Sequence, residues 1–357
     1  MVRKINDSIA EIVNGDDVRL YTLASTYDVS IELLRMVKAA KRLPVPFFAA
    51  GCIFMPIDVA IMFRGRMMVT VVTPSQAIAA EEAGACAVIP LDAPNMVLKT
   101  KEGALRATSI AAVNMIMDRV LIPVVGRVRV GHIIEAKAME AAKVSCIDEH
   151  ELINPITTAY VPETTQHIAF KDGHNGAYGY VHKVASARIY KQPFRVPFMC
   201  GASDLGEALT RIQEGASVIR TAYPADEDTH EVAKTFETVR KIADSICQIV
   251  DGDDAKLYGL QTTYGVSIEL LRMVKQQKRL PVPFFAAGGV FMPVDVAMLR
   301  SMGCDGVIVS MRVFKTLSVE VRLNDIMTAL AHYDNPDVLA EIVERSGGYG
   351  AKPTANG

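Results

Sequence analysis

The sequence predicts an α/β protein whose main domain is a (β/α)8 TIM barrel. Between about residues 62 and 340, short apolar runs alternate eight times with amphipathic helices, which is typical of a parallel sheet. Eight such units favour a closed barrel over an open doubly wound sheet, because an open sheet needs no fixed count of eight. The segment before the barrel nearly repeats part of it, so an extra N-terminal βα fragment is predicted as well.

The eight predicted strands are apolar runs. Predicted helices follow seven of them, with two helices after the sixth strand and a long connection after the fourth. The strands are Met67–Val72, Cys86–Ile89, Ile122–Val125, Ser145–Asp148, Val196–Cys200, Ser217–Arg220, Val282–Ala286 and Gly306–Ser310. The helices are Ser75–Ala83, Ser109–Asp118, Gly131–Ala142, Asp204–Glu214, Thr229–Val250, Ser267–Lys275, Pro293–Met302 and Ser318–His332.

The opening segment Lys4–Phe63 matches Lys241–Arg300 without a gap, at 42 of 60 positions. It duplicates the helices before the seventh strand, that strand and the start of its helix, and it lacks a barrel of its own. The predicted parts are a duplicated fragment over 1–61, a barrel over 62–342 with an insertion at about 155–191, and a disordered tail over 343–357. The fragment either packs outside the barrel, exchanging with a neighbouring subunit, or is a recombination scar or gene-model artefact.

Composition excludes several classes of function. The formal net charge of −2 gives no electrostatic case for binding nucleic acid or an anionic membrane. No apolar run reaches the length of a membrane span, and the first residues carry charges where a signal peptide needs an apolar core. The six cysteines are scattered without a C-x-x-C pair, which predicts reduced thiols in a cytoplasmic protein and no metal site.

Active sites of TIM barrels lie at the C-terminal ends of the strands. Gly288 and Gly289, after the seventh strand, have the small size that a phosphate-cradling turn needs, although glycine at such a position is also ordinary turn chemistry. Arg127 and Arg220 are predicted at strand ends, where they either point into the barrel mouth or form salt bridges with neighbours such as Asp148.

Several segments resemble the synthase subunit of pyridoxal 5'-phosphate synthase, the PdxS family. The resemblance covers about Met62 to Ile342 and rests on PSQAIAAEEAGACAV, IPVVGRVRVGHIIEAKAMEA, CIDEHEL, FRVPFMCGASDLGEALTRIQEGAS, RLPVPFFAAGGVFMPVDVAM and GCDGVIV. It implies a TIM barrel in hexameric rings that stack as dodecamers and take ammonia from a glutaminase partner. It also implies synthesis of pyridoxal 5'-phosphate, as product rather than cofactor, from ribose 5-phosphate, glyceraldehyde 3-phosphate and ammonia, without metal or nucleotide.

In that family the chemistry runs through imines on two lysines, assisted by an acid on strand one and another on strand four. The resemblance matches the strand-four acid to Asp148 and the phosphate turn after strand seven to Gly288 and Gly289. Arg220, with the threonine that follows it, matches the start of the strand-six motif.

The remaining family positions depart from the pattern. Thr70 stands at the strand-one acid, Arg127 at the first imine lysine and Ala222 at the second. The Gly-rich segment after strand six is replaced by YPADED over residues 223–228, and the Gly-Ser-Gly after strand eight by Ser310-Met311-Arg312. A guanidinium stays protonated and alanine has no nucleophile, so these changes argue against the parent reaction.

Three functions follow from this pattern. The first is a non-catalytic accessory or regulatory partner of active synthase subunits. The second is an active synthase that uses relocated lysines, for which Lys99 and Lys101 in the loop after strand two are the candidates. The third is a barrel that only binds a phosphorylated ligand, with Arg127, Arg220 and Arg312 as a cationic pocket.

Overall fold

The computed structural model describes two compact units of the chain, Met1–Met55 and Pro56–Gly357. The residues described are 11–27, 31, 34, 35, 38, 65–92, 108–150, 170–171, 178–179, 189, 191, 193–222, 232–316 and 318–345.

The second unit contains eight parallel strands that surround one interior. In sheet order they run β2-β1-β8-β7-β6-β5-β4-β3, and a parallel bridge between Val88 and Val124 brings the two ends of this order together. The predicted (β/α)8 TIM barrel is therefore confirmed. The strands are β1 (Arg66–Val71), β2 (Ala87–Pro90), β3 (Val125–Arg129), β4 (Cys146–His150), β5 (Phe198–Ala202), β6 (Val218–Thr221), β7 (Phe284–Ala287) and β8 (Gly306–Val309).

Helices follow the strands, and side-chain caps set where several of them begin. The helix after β1 starts at Pro74 behind a capping box, in which Thr73 accepts from the Gln76 backbone and the Gln76 side chain accepts from Thr73. Asp204, Asp253 and Ser267 cap later helices with a side chain that accepts from the backbone N–H three residues on. The helices are α1 (Asp17–Tyr27), α2 (Pro74–Glu82), α3 (Ile110–Met117), α4 (Ile133–Ala141), α5 (Leu205–Gln213), α6 (Val232–Val250), α7 (Asp254–Tyr264), α8 (Ile268–Gln277), α9 (Pro293–Ser301), α10 (Val319–Ala331) and α11 (Pro336–Arg345), with a 3-10 helix at Met311–Lys315.

The core has two layers because strand side chains alternate between the faces of the sheet. The larger cluster fills the space between the strands and the helices. The smaller one fills the barrel interior, with Met68, Ile89, Val125, Met199 and Phe285 among its members. On β3, β4 and β6, the side chains two positions closer to the mouth than these apolar residues lie on the same inner face. These positions carry the polar residues of the mouth.

Several strands extend further toward the mouth than the apolar runs predicted. The third strand was predicted at Ile122–Val125 and is found at Val125–Arg129, so Arg127 lies in the middle of a strand and not at its end. The fourth strand continues past Asp148 to His150. The prediction ended the third strand at its last apolar residue, whereas polar side chains remain in the ladder where they find partners inside the barrel.

Two helices were not predicted. Helix α7 lies between α6 and α8 and has no strong amphipathic pattern. Helix α11 ends at Arg345, so residues 343–345 are helical where the sequence predicted a disordered tail. The side chain of Arg345 pairs with the buried Asp325 of α10, which ties the end of this helix to the barrel.

The opening unit repeats local contacts of the later copy. Lys38 donates from Nζ to the carbonyl of Gly15 at 2.6 Å, as Lys275 does to Gly252 at 2.5 Å. The backbone N–H of Arg19 donates to the Asp16 side chain, and the equivalent bond joins Lys256 to Asp253. A small apolar cluster in this unit consists of Ile12, Leu20, Leu23 and Leu34. Within the described residues, the chain therefore turns at the same position of the repeat in both copies.

The predicted insertion at 155–191 lies mostly outside the described residues. Within it, two short strands, Phe170–Lys171 and Tyr178–Gly179, pair in antiparallel fashion.

Candidate functional site

The central feature of the barrel interior is one carboxylate shared by two guanidinium groups. Arg127 Nε lies 3.2 Å from Asp148 Oδ2, and Arg220 Nε lies 3.0 Å from Asp148 Oδ1. Asp148 and Arg220 are fully buried, and Arg127 is 6% exposed. Both oxygens of the acid are thus engaged by charge-assisted hydrogen bonds.

The strands place these three side chains together. Arg127 of β3 is in register with Asp148 of β4, and both follow inward-facing residues by two positions. Gly126 lets the outer layer close behind this pair, since a Cβ there would lie 2.7 Å from the Met139 sulfur of α4. Of the two alternatives for these arginines, the structure shows the salt bridges with Asp148.

Thr70 and Ala222 stand where the resemblance places the strand-one acid and the second imine lysine. The buried hydroxyl of Thr70 donates to the carbonyl of Val309 at 3.1 Å, so it joins β1 to β8. Ala222 follows β6 directly, and its backbone N–H donates to the carbonyl of Ala202 at 2.8 Å. Neither side chain offers a group that could form an imine or carry an acidic proton.

His150 also lies buried at the end of β4, and the sequence analysis did not select it. Burial, together with the positive charges of Arg127 and Arg220, holds the pKa of His150 well below its usual range. The imidazole is therefore neutral near pH 7. The sequence analysis missed this histidine because it follows acidic residues and has no spacing typical of metal ligands.

The turn after β7 keeps an unusual backbone. Gly288 has φ 103° and Gly289 has φ 69°, which are conformations that favour glycine. The Thr235 hydroxyl of α6 lies 2.8 Å from the carbonyl oxygens of both Ala287 and Gly288. The Thr221 hydroxyl donates to the carbonyl of Ala287 and accepts from its N–H. The turn is thus held from two sides, and Thr235 is a second residue that sequence reasoning missed.

The turn after β8 begins a short 3-10 helix. The Ser310 side chain caps it by accepting from the N–H of Arg312, and the N–H of Ser310 donates to the carbonyl of Val290. Met311 follows at the first position of that helix. The Arg312 guanidinium lies over the Phe291 ring at 5.1 Å, so it does not join the Asp148 network.

A second buried ion network lies on the outer face of the barrel. Lys191 Nζ is 2.9 Å from Glu149 Oε2 and 3.7 Å from Glu214 Oε2. Glu149 also accepts from the backbone N–H groups of Gly131 and Ile189. Burial raises the pKa of Glu149, but the Lys191 charge and these hydrogen bonds outweigh it and lower that pKa.

The same balance applies to Lys191. Burial lowers its pKa, but the nearby Cys200, Glu149 and Glu214 outweigh that effect, so its pKa is raised. This residue stays an ammonium ion at neutral pH.

The structure thus brings together Arg127, Asp148 and Arg220, with His150 beside them, and holds the β7 turn nearby. Lys99 and Lys101 lie outside the described residues, as does the segment 223–228. In the part of the chain that the structure describes, no group of three His, Cys, Asp or Glu side chains could hold a metal ion. No described helix is long and apolar enough to cross a membrane.

Comparisons with known proteins agree with the sequence resemblance. The family model described as "SOR/SNZ family" matches residues 55–175 and 182–287. The chain is 37% identical over 286 residues to pyridoxal 5'-phosphate synthase subunit PdxS of Thermotoga maritima, covering 80% of this chain and 88% of that protein. It is 38% identical over 284 residues to pyridoxal 5'-phosphate synthase subunit SNZ1 of Saccharomyces cerevisiae, covering 79% and 85%.

Among solved structures, thiamine phosphate pyrophosphorylase from Pyrococcus furiosus aligns with a TM-score of 0.41 and 13% identity, over 76% of this chain and 99% of that one. That similarity is too distant to support a functional assignment. The family match spans more than half of the chain, and the relatives exceed 30% identity over most of their own length. This protein belongs to the SOR/SNZ family, whose relatives include the PdxS-type subunits of pyridoxal 5'-phosphate synthase.

Proposed function

We propose that this chain is a pyridoxal 5'-phosphate synthase-like subunit without synthase activity, acting as an accessory or regulatory partner of active synthase subunits. The observation that carries the proposal is the arrangement around Asp148. Its two carboxylate oxygens pair with Arg127 and Arg220 in the barrel interior. The acid that the resemblance assigns to catalysis is thereby engaged in a structural ion network.

Chemistry supports the loss of activity. An imine requires a free amine, and a guanidinium at position 127 remains protonated at any pH the protein tolerates. Ala222 has no nucleophile. Among the described residues, Lys191 is the buried lysine, but its ammonium is held by Glu149 and its raised pKa keeps it charged. None of these residues therefore replaces the two imine lysines of the family.

The accessory role rests on the preserved barrel. The relatives are named as subunits of a synthase, so the retained frame is suited to assembly with chains of the same kind. We expect mixed or homomeric hexamers or dodecamers, with docking of a glutaminase subunit as a further possibility to test.

Two measurements test this proposal together. The purified chain is assayed for pyridoxal 5'-phosphate from ribose 5-phosphate, glyceraldehyde 3-phosphate and ammonia, and co-expressed chains are analysed by mass photometry. We expect no product from this chain alone and mixed particles with an active synthase subunit. Product from this chain alone would contradict the loss of activity, and borohydride trapping would then show whether Lys99 or Lys101 carries the sugar adduct. Particles that never contain both chains would contradict the accessory role.

A second candidate is a barrel that binds a phosphorylated ligand without reacting. The held Gly288–Gly289 turn favours it, because two glycines in left-handed conformations can present backbone N–H groups to an anion. A thermal shift with sugar phosphates, absent in Gly289→Val and without a trapped adduct, would support binding alone. No shift at millimolar ligand would remove this candidate.

A further inference from the structure

The opening copy of the repeat turns at an Asn-Gly pair, Asn14 and Gly15. Residues 11–14 are helical, residues 15 and 16 are not, and α1 follows from position 17. At the equivalent turn, between α6 and α7, the later copy has an Asp-Gly pair, Asp251 and Gly252. The turn therefore reads NGDD over 14–17 and DGDD over 251–254, and the two sequences differ only by the side-chain amide of Asn14.

Both turns require glycine because the chain approaches itself closely there. A Cβ on Gly15 would lie 3.0 Å from the carbonyl oxygen of Glu11, and a Cβ on Gly252 would lie 3.0 Å from that of Gln248. A side chain at either position would press on the backbone of the preceding helix. The residue after Asn14 is therefore one that cannot shield its own backbone nitrogen from a neighbouring group.

The side chain of Asn14 is exposed to solvent where its helix ends. The N–H of Gly15 donates to the carbonyl of Glu11 at 2.9 Å, which is a backbone bond at the end of this helix. Hydrogen bonds at helix ends open at little cost in free energy. Each opening leaves the Gly15 nitrogen next to an exposed amide. The other Asn-Gly pairs, at 175–176 and 356–357, lie outside the described residues.

We infer that Asn14 is a deamidation site of the folded protein. The backbone nitrogen of Gly15 attacks Cγ of Asn14 and closes a succinimide ring. The bond from Cγ to Nδ2 breaks, and ammonia leaves with the proton from the Gly15 N–H. Water then opens the ring at Cγ to give aspartate, or at the main-chain carbonyl carbon to give isoaspartate. Water is the only co-reactant that these steps need.

The aspartate product fits the turn, because it gives the opening copy the turn sequence of the later one, where Asp251 is exposed at the same position. The Lys38 ammonium, which donates to the Gly15 carbonyl at 2.6 Å, brings a positive charge to the turn that receives the new carboxylate. The isoaspartate product lengthens the backbone by one carbon and displaces the groups that form these hydrogen bonds. The inference does not depend on the proposed function, because the site lies in the opening unit.

The test incubates the full chain at mildly alkaline pH and follows deamidation at each asparagine by peptide mass spectrometry. Circular dichroism checks that the protein stays folded. We expect Asn14 to deamidate faster than Asn114, which is equally exposed but lies inside α3 and precedes a methionine. In the matched control Asn14→Gln, position 14 should stay unmodified, because glutamine would have to close a larger ring. A rate at Asn14 no higher than that at Asn114 would overturn the inference.

A second measurement tests the route of the reaction. Electron-transfer fragmentation distinguishes isoaspartate from aspartate in the peptide that contains position 14. We expect both products, because water can open the ring at either carbonyl carbon. Aspartate alone would indicate direct hydrolysis of the side-chain amide and would overturn the attack by the Gly15 nitrogen.

Discussion

Two neighbouring residues of β4, Asp148 and Glu149, anchor ion networks of opposite composition on the two faces of the barrel. Inside, two guanidiniums share the carboxylate of Asp148. Outside, one ammonium, that of Lys191, lies between Glu149 and a second acid. The inner network stands where the family resemblance places catalytic groups, and the outer one holds the chain that leads into β5. The comparison shows that two consecutive acids of one strand are paired with different cations on the two faces of the barrel.

The largest effect should come from Asp148→Asn. The substitution leaves two buried guanidiniums facing a neutral amide, and breaking a buried pair typically costs about 3–5 kcal/mol of unfolding free energy. Urea unfolding followed by circular dichroism measures it, since the chain has no tryptophan. Asp244→Asn, at an exposed position of α6, should stay within about 0.5 kcal/mol. A loss of unfolding free energy below about 1 kcal/mol for Asp148→Asn would mean that other groups stabilise the two arginine charges.

Lys191→Met tests the outer network and should have a smaller effect. Glu149 would lose its cation but keep two backbone N–H donors, so we expect a loss of about 2–3 kcal/mol in the same unfolding experiment. Lys137→Met, on the exposed side of α4, is the control. A larger loss of unfolding free energy for Lys191→Met than for Asp148→Asn would contradict the prediction that breaking the inner network costs more stability.

The inner network also predicts a pH dependence. The pKa of His150 is depressed in the folded state, so the unfolded state binds more protons below its ordinary pKa of about 6.5. The stabilisation from the neutral histidine should be fully present above that pH. Below it, the free energy of unfolding should fall by up to about 1.4 kcal/mol per pH unit. His150→Asn should reduce this slope between pH 6.5 and 5, whereas His332→Asn, at an exposed position, should not. Equal slopes in all three proteins would contradict the assignment.

The smallest effect concerns the turn that the inner network adjoins. Thr235→Val removes the hydroxyl that lies 2.8 Å from the carbonyls of Ala287 and Gly288. We expect a loss of about 1–2 kcal/mol of unfolding free energy, because the one hydroxyl donor shared by these two buried carbonyls would be removed. Thr262→Val is the control, since its hydroxyl bonds within an exposed helix. A loss no larger than that of the control would show that Thr221 holds the turn alone.

The barrel could be predicted because its information is local and periodic. Eight apolar runs and eight helices are visible in the sequence, and each strand begins within three residues of its prediction. The strand ends were less predictable. Arg127 continues its strand where its partner, Asp148, lies on another strand, and no local pattern contains that information.

The candidate site was predicted in part. The positions of Arg127, Asp148 and Arg220 followed from motif matching, but two alternatives stayed open for the arginines. Thr235 and His150 were missed because their roles depend on distance in space: Thr235 acts on a turn 52 residues away. The assembly of these chains stays a prediction.

By itself, the amino-acid sequence determined the (β/α)8 barrel and the family, because these follow from periodicity and from residue identity. Only the tertiary structure decided that Asp148 is shared by both arginines, and that its neighbour Glu149 pairs with Lys191 on the opposite face. The physical reason is strand alternation together with barrel closure. These bring residues from three separate strands within hydrogen-bonding distance and direct consecutive side chains to opposite sides.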